Sequence, residues 1–153
     1  MHEVKRILLV EDSPNDIELI LAVLSENRLA NEVVVVRDGA EALDYLYRRG
    51  VFKLRMEGHP VVVLLDLKLP KIDGLEVLGQ IKSDPELRAV PVVVLTSSRE
   101  EQDLINSYNR GTNAYVVKPV DFHEFVDAIK ELGLFWAVVN QPPPASISSR
   151  RTI

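Results

Sequence analysis

Five short apolar runs punctuate the chain: "RILLV" at 6 to 10, "EVVVV" at 32 to 36, "VVVLLD" at 61 to 66, "VVVL" at 92 to 95 and "AYVV" at 114 to 117. Continuous Val-rich runs of this length suit strands covered on both faces. Between them the apolar positions switch to a helical period. Ile17, Ile20, Leu21 and Leu24 share one stripe within 15 to 28, Leu43, Leu46 and Tyr47 within 40 to 49, and Leu75, Leu78 and Ile81 within 75 to 83. Leu104, Ile105 and Tyr108 mark a fourth stretch, and Phe122, Phe125, Val126, Ile129 and Leu132 a fifth. Strand and helix alternate five times, which predicts an α/β domain with a parallel sheet, right-handed crossovers and helices on both faces.

Local punctuation agrees. Ser13 and Pro14 read as an N-cap and first helical residue, Asp38-Gly39 opens the second helix, and Asp121 caps the fifth. The connection "GVFKLRMEGHP", 50 to 60, exceeds the two to six residues usual between helix and strand, and reads as either a functional loop or a tolerated insertion. The apolar stripe of the last helix runs on through "ELGLFWAVVN", which predicts one helix extended to about residue 140. The ending "NQPPPASISSRRTI" is too rich in Pro and Ser to pack, so 141–153 is expected to be a disordered tail. One domain over 1–140, with its core in 5–132, is the expectation.

Composition narrows the function classes. A formal net charge of −5, with Arg150-Arg151 the single basic cluster worth inspecting, argues against nucleic-acid binding. Without any cysteine there is no disulfide, thiolate metal site or thiol nucleophile, which agrees with a reducing compartment. No leader pattern opens the sequence and no apolar run is long enough for a membrane span; a cytoplasmic location with no membrane partner is expected.

In open parallel sheets, functional groups gather beyond the carboxyl ends of the strands. Here the strand ends carry Glu11-Asp12, Asp66, Thr96 and Lys118-Pro119. If strands one and three are neighbours, as in the order 2-1-3-4-5, three carboxylates meet beside a hydroxyl and an ammonium. Crowded carboxylates call for a cation. Oxygen donors, no cysteine and only the scattered His2, His59 and His123 favour Mg²⁺ over Zn²⁺. Mg²⁺ usually shares its shell with phosphate oxygens, yet neither GxxxxGK[ST] nor GxGxxG is present, so a group other than a bound nucleotide must bring the phosphate.

The segments "ILLVEDSPND", "LLDLKLPKIDGLEVL", "VVVLTSS" and "AYVVKPVD" together resemble the receiver domain of bacterial response regulators over roughly residues 5 to 132. The order 2-1-3-4-5 is that family's, a flavodoxin-like (βα)5 three-layer sandwich, and a receiver protein is a standard example of it. The resemblance implies Asp66 as phosphoacceptor for a sensor histidine kinase. It implies Mg²⁺ held by Asp12 directly, by Glu11 mostly through water, by Asp66 and by the backbone carbonyl of Lys68. Lys118 would offset phosphoryl charge, Thr96 and Tyr115 would form the switch, and Pro119 would follow a cis bond. Gly74 would supply backbone freedom at the turn into the third helix, after Pro70 and Asp73. Ser97 stands where alanine is common, and Lys68 and Ser98 occupy positions where the family varies phosphoryl lifetime. The long loop, the "DLKLPKIDG" wording and the "LFW" ending further resemble single-domain regulators paired with bacterial and cyanobacterial phytochromes.

Each residue alone has an ordinary structural reading. Glu11-Asp12 could complement a helix dipole, Thr96 cap a helix, Lys118 end in solvent and Tyr115 fill the core. Independent surface residues have no cause to share one sheet edge, which favours a site. Three classes follow: a stand-alone phosphorylated signalling module that aids its own phosphoryl transfer and dephosphorylation, an Mg²⁺-dependent aspartyl phosphatase, or a phosphorylation-independent scaffold. The second expects an aspartate where Lys68 stands. Output is by protein contact through the fourth helical stretch, the fifth strand and the fifth helix. Leu132, Phe135, Trp136 and Val139 form a helical stripe expected to join two copies as a homodimer.

Overall fold

The computed structural model describes residues 6–26, 32–55, 58–97 and 113–133. Five parallel strands, β1 (Arg6–Val10), β2 (Glu32–Val36), β3 (Val62–Asp66), β4 (Val92–Thr96) and β5 (Asn113–Val117), form one sheet in the order β2-β1-β3-β4-β5. Helices α1 (Pro14–Glu26), α2 (Gly39–Tyr47), α3 (Gly74–Ser83) and α4 (Phe122–Glu131), with one 3₁₀ turn (Gly50–Phe52), complete the described elements. The fourth predicted helical stretch, around Leu104 to Tyr108, lies outside the described residues, as does the tail 141–153. No described helix is long and apolar enough to cross a membrane.

Strand alternation splits the core in two. Leu8, Val10, Val63, Leu65, Val92 and Val94 face α2 and α3 through Leu43, Leu46, Leu78 and Ile81. Ile7, Leu9, Val62, Leu64, Val93 and Leu95 face α1 and α4 through Ile17, Ile20, Phe125 and Ile129. Because successive strand side chains point to opposite faces, continuous apolar runs are what a sheet covered on both sides requires.

The helix starts follow from capping chemistry. Asp16 N donates to Ser13 Oγ at 3.3 Å, Glu41 N to Asp38 Oδ1 at 2.8 Å and Glu124 N to Asp121 Oδ1 at 2.9 Å. Asp73, read from sequence only as part of a loop, caps α3 by accepting from Glu76 N at 3.1 Å. The long connection before β3 is anchored to its own domain. It begins with a 3₁₀ turn, Gly50–Phe52, whose Phe52 ring meets Tyr45 edge-on at 5.1 Å. Arg55 donates to the carbonyls of Tyr45 and Gly58 and lies 4.3 Å over the Tyr45 ring.

Two expectations are corrected. The last helix does not run unbroken to residue 140: it ends at Glu131, capped by Leu132, and Gly133 takes φ 73°, the left-handed position at which glycine stops helices. Residues 134 to 140, including Phe135, Trp136 and Val139, lie outside the described residues. Leu132 is half-buried and packs partly against the α1/α4 core of its own domain.

Gly74 is the second correction. Its φ is not positive; what demands glycine is space, since a Cβ there would come within 2.2 Å of the Asp66 carbonyl oxygen and 2.5 Å of Leu67 Cα. Its N–H also donates to the Leu67 carbonyl at 2.8 Å, tying α3 to the segment just past β3. Gly74→Ala is therefore expected to cost about 3 kcal/mol, because backbone cannot yield as a side chain does. Urea denaturation measures it; a loss under about 0.5 kcal/mol would show that helix and strand separate freely.

Candidate functional site

The register sets the site. Val10 pairs with Leu65 across β1 and β3, so the next residues, Glu11 and Asp66, lie side by side at the strand ends. Asp66 pairs with Leu95, which places Thr96 one step beyond, and the Thr96 carbonyl accepts from the Lys118 N–H at 2.7 Å. By alternation, Glu11, Asp66 and Lys118 fall on the sheet face shared with α1 and α4. The Lys118–Pro119 peptide is cis.

One ammonium organises the cluster. Lys118 Nζ lies 2.9 Å from Glu11 Oε1, 3.0 Å from Asp16 Oδ2 and 3.2 Å from Asp66 Oδ1. Glu11 is 1 % exposed, Asp66 6 % and Thr96 1 %, all buried, whereas Asp12 and Lys68 are exposed. Glu11 Oε2 accepts from Ser13 N at 3.1 Å, but Oε1 accepts no aligned hydrogen bond despite its closeness to Nζ.

The electrostatics follow from crowding. Burial raises the Glu11 carboxyl above its ordinary 4.5; contacts with Lys118 and Ser13 pull the other way, and the neighbouring Asp66 charge adds to the rise. For Lys118, burial alone would lower the ammonium. The close contacts with Glu11 and Asp16 and the charge of Asp66 outweigh it and hold the group above its ordinary 10.5. Lys118 is therefore a permanent cation at neutral pH.

The structure brings Glu11, Asp66, Thr96 and Lys118 to one edge, and leaves Asp12 and Lys68, the residues that follow Glu11 and Leu67, exposed. Tyr115 is on β5 and 36 % exposed, so it does not fill the core. Ser98 lies outside the described residues. Asp16 was not foreseen: three residues after a serine N-cap, it reads as a first-turn acid complementing the helix dipole. Its backbone does serve the cap, while its side chain reaches the ammonium 102 positions away.

Residues 7–130 match the model of the response regulator receiver domain. This chain belongs to that family. Response regulator Rcp1 of Synechocystis is 40 % identical over 132 residues, covering 86 % of this chain and 88 % of the relative. The bacteriophytochrome response regulator RtBRR superposes with a TM-score of 0.83 at 60 % identity, covering 98 % of this chain and 90 % of that one. The phosphorylated cyanobacterial phytochrome response regulator RcpA superposes with a TM-score of 0.70 at 43 % identity, covering 88 % and 95 %. Rcp1 is also known in an Mn²⁺-bound form, to which this chain is 39 % identical with a TM-score of 0.69, covering 91 % and 99 %.

Receiver domains are signalling modules that partner with sensor histidine kinases, and homologues bind Mg²⁺ or Mn²⁺ in the active site. In this receiver domain the donors suit such a cation. Glu11 Oε1 is a buried carboxylate oxygen without an aligned donor, and all the available side-chain donors are hard oxygens. They are not assembled as a cage: among the described residues no group of three Asp, Glu, His or Cys is spaced for a metal, and the Lys118 ammonium lies beside Glu11 and Asp66. Mg²⁺ needs only one or two protein carboxylates and keeps the rest of its shell as water, so the arrangement fits.

Proposed function

We propose that the chain accepts a phosphoryl group on Asp66 from the phosphohistidine of a sensor kinase and signals by altering one face of its domain. The observation that carries this reading is the Lys118 ammonium, 3.2 Å from Asp66 Oδ1, at a strand end that opens to solvent beside Asp12 and Lys68. An Asp66 oxygen attacks phosphorus, the P–N bond breaks with its electron pair leaving on the imidazole, and an acyl phosphate results. Lys118 neutralises charge on the phosphoryl oxygens from its fixed position at the end of β5. Mg²⁺, when bound, supplies further neutralisation of that charge; Asp12, Glu11, Asp66 and the Lys68 backbone carbonyl are the groups that would hold it. Water attack on the same phosphorus returns the free carboxylate, so the chain assists its own dephosphorylation without turning over outside substrates.

Thr96 and Tyr115 are the proposed switch, the hydroxyl turning to the phosphoryl group and the ring following it inward. Thr96 stands one register step from Asp66's partner, and Tyr115 opens onto a cleft bordered by Glu124, Asp127 and Glu131 of α4. Similarity to RtBRR and RcpA supports a phytochrome-type histidine kinase as donor. The working unit is a receiver domain over 1–140, placed in the cytoplasm.

Incubation with acetyl phosphate and Mg²⁺ tests the reading. Intact-mass spectrometry should find one phosphoryl group per chain, absent when EDTA replaces the metal. Release of phosphate from outside esters without a labelled chain, or no reaction, would overturn it.

Homodimer formation through the fourth helical stretch, β5 and α4, with Leu132, Phe135, Trp136 and Val139 at its centre, belongs to the same proposal. Sedimentation at micromolar concentration should show a dimer that Trp136→Ala dissociates; a monomer under all conditions, including with beryllofluoride, sinks it.

A further inference from the structure

Of the three carboxylates around Lys118, Asp16 is distinctive. It is the one that receives an aligned hydrogen bond from Nζ, at 3.0 Å, while Glu11 Oε1, though 2.9 Å away, accepts none. Asp16 is also rigidly held. It sits in the first turn of α1, with its own N–H on Ser13 Oγ and the next residue, Ile17, bonded to the Ser13 carbonyl at 2.9 Å and buried in the core. Its side chain is 30 % exposed, so keeping it charged costs little desolvation compared with Glu11.

An ammonium has three protons to give. Without Asp16, those protons would be shared between Glu11 and Asp66, the two buried carboxylates nearest the point where a cation must enter. Three anions against one cation leave an excess of negative charge at the strand ends, and how the ammonium divides itself decides where that excess lies. Drawn toward α1, it lies on Glu11 and Asp66.

We infer that Asp16 is a positioning residue for the phosphoryl-transfer site: it anchors the Lys118 ammonium from helix α1, so that the oxygens of Glu11 and Asp66 remain available to a divalent cation while Lys118 stays within reach of the acceptor. This rests on the phosphoacceptor reading of Asp66. Asp16 acts through Lys118, with which its side chain is hydrogen-bonded. A distant field effect would act whether or not Lys118 is present, and that difference makes the two separable.

The test is a double-mutant cycle read by calorimetric titration of Mg²⁺ into the unphosphorylated full chain: wild type, Asp16→Asn, Lys118→Ala and the double variant. Asp16→Asn should raise the Mg²⁺ Kd about fivefold when Lys118 is present, because the ammonium falls back on Glu11 and Asp66. In the Lys118→Ala background the same change should be less than about twofold. Equal weakening in both backgrounds, or no weakening in either, overturns the inference. Asp16→Ser, which keeps a first-turn polar group, repeats the cycle should Asp16→Asn perturb the fold by circular dichroism. Acetyl phosphate labelling of the wild type runs in parallel. A labelled, Mg²⁺-binding wild type with an additive cycle defeats Asp16 alone; an unlabelled wild type defeats the reading of Asp66, and a wild type that binds no Mg²⁺ defeats both.

Discussion

Asp66→Asn should abolish phosphoryl incorporation from acetyl phosphate while leaving the protein folded and more stable than wild type in EDTA. The first effect follows from chemistry, since an amide oxygen cannot form the acyl phosphate. The second follows from charge: Glu11, Asp16 and Asp66 surround a single ammonium, and Glu11 and Asp66 are almost wholly buried. Removing one buried carboxylate from an over-acidic cluster relieves repulsion, and a gain of about 1 kcal/mol is expected. Intact-mass spectrometry reads the labelling and urea unfolding in EDTA reads the stability. Millimolar Mg²⁺ should shrink the gap by stabilising the wild type more than the variant. Residual labelling near the wild-type level would move the acceptor elsewhere.

Lys118→Ala should have the opposite effect on stability and a severe one on transfer. Breaking a buried ion pair from one side leaves an uncompensated charge, and here two buried carboxylates lose their shared cation at once. A loss of about 3 kcal/mol is expected in EDTA, partly recovered by Mg²⁺. The pH dependence has a definite sign. The folded-state value of Lys118 is raised above 10.5, so its stabilisation is fully present below that pH and is lost only as pH rises through the folded value. Glu11 is raised above 4.5, so it costs stability at neutral pH, and that cost is relieved as pH falls through its folded value toward 4.5. Without Lys118 the rise in Glu11 should grow. The variant should therefore regain stability on going from about pH 7.5 to about pH 5 more than wild type does, measured by urea midpoints. A variant that loses stability equally at both pH values would show that Glu11 and Lys118 are not energetically coupled.

Much of this was legible in the chain because it is local or periodic. Ser13, Asp38 and Asp121 could be assigned as caps since an N-cap is a contact between residues three apart. The Val-rich runs could be assigned as doubly covered strands, since both parities are apolar, and both parities do face core. Glu11, Asp66, Thr96 and Lys118 stood out as strand-terminal polar residues after apolar runs, a pattern that needs only the strand boundaries.

What escaped the sequence depended on packing between distant segments. The stripe through Leu132 and Phe135 looked continuous, but a helix period does not register that Gly133 takes a left-handed conformation. Gly74 looked like a turn glycine; the constraint is the Asp66 carbonyl, visible only when α3 is laid against the end of β3. Asp16 drew no reading from the sequence, because its place in the first turn of α1 carries no sign of an ammonium 102 positions away.

By itself, then, the amino-acid order determined the alternation of strands and helices, the caps and the presence of a carboxylate, hydroxyl and ammonium set at strand ends, because hydrophobic period and turn chemistry act over a few residues. Only the tertiary structure decided how the charges are shared: that Lys118 reaches Glu11, Asp16 and Asp66 together and gives its aligned hydrogen bond to Asp16. The physical reason is that Coulomb and hydrogen-bond energies depend on separations of a few ångströms between residues far apart in the chain, and those separations exist only once the sheet and α1 have packed.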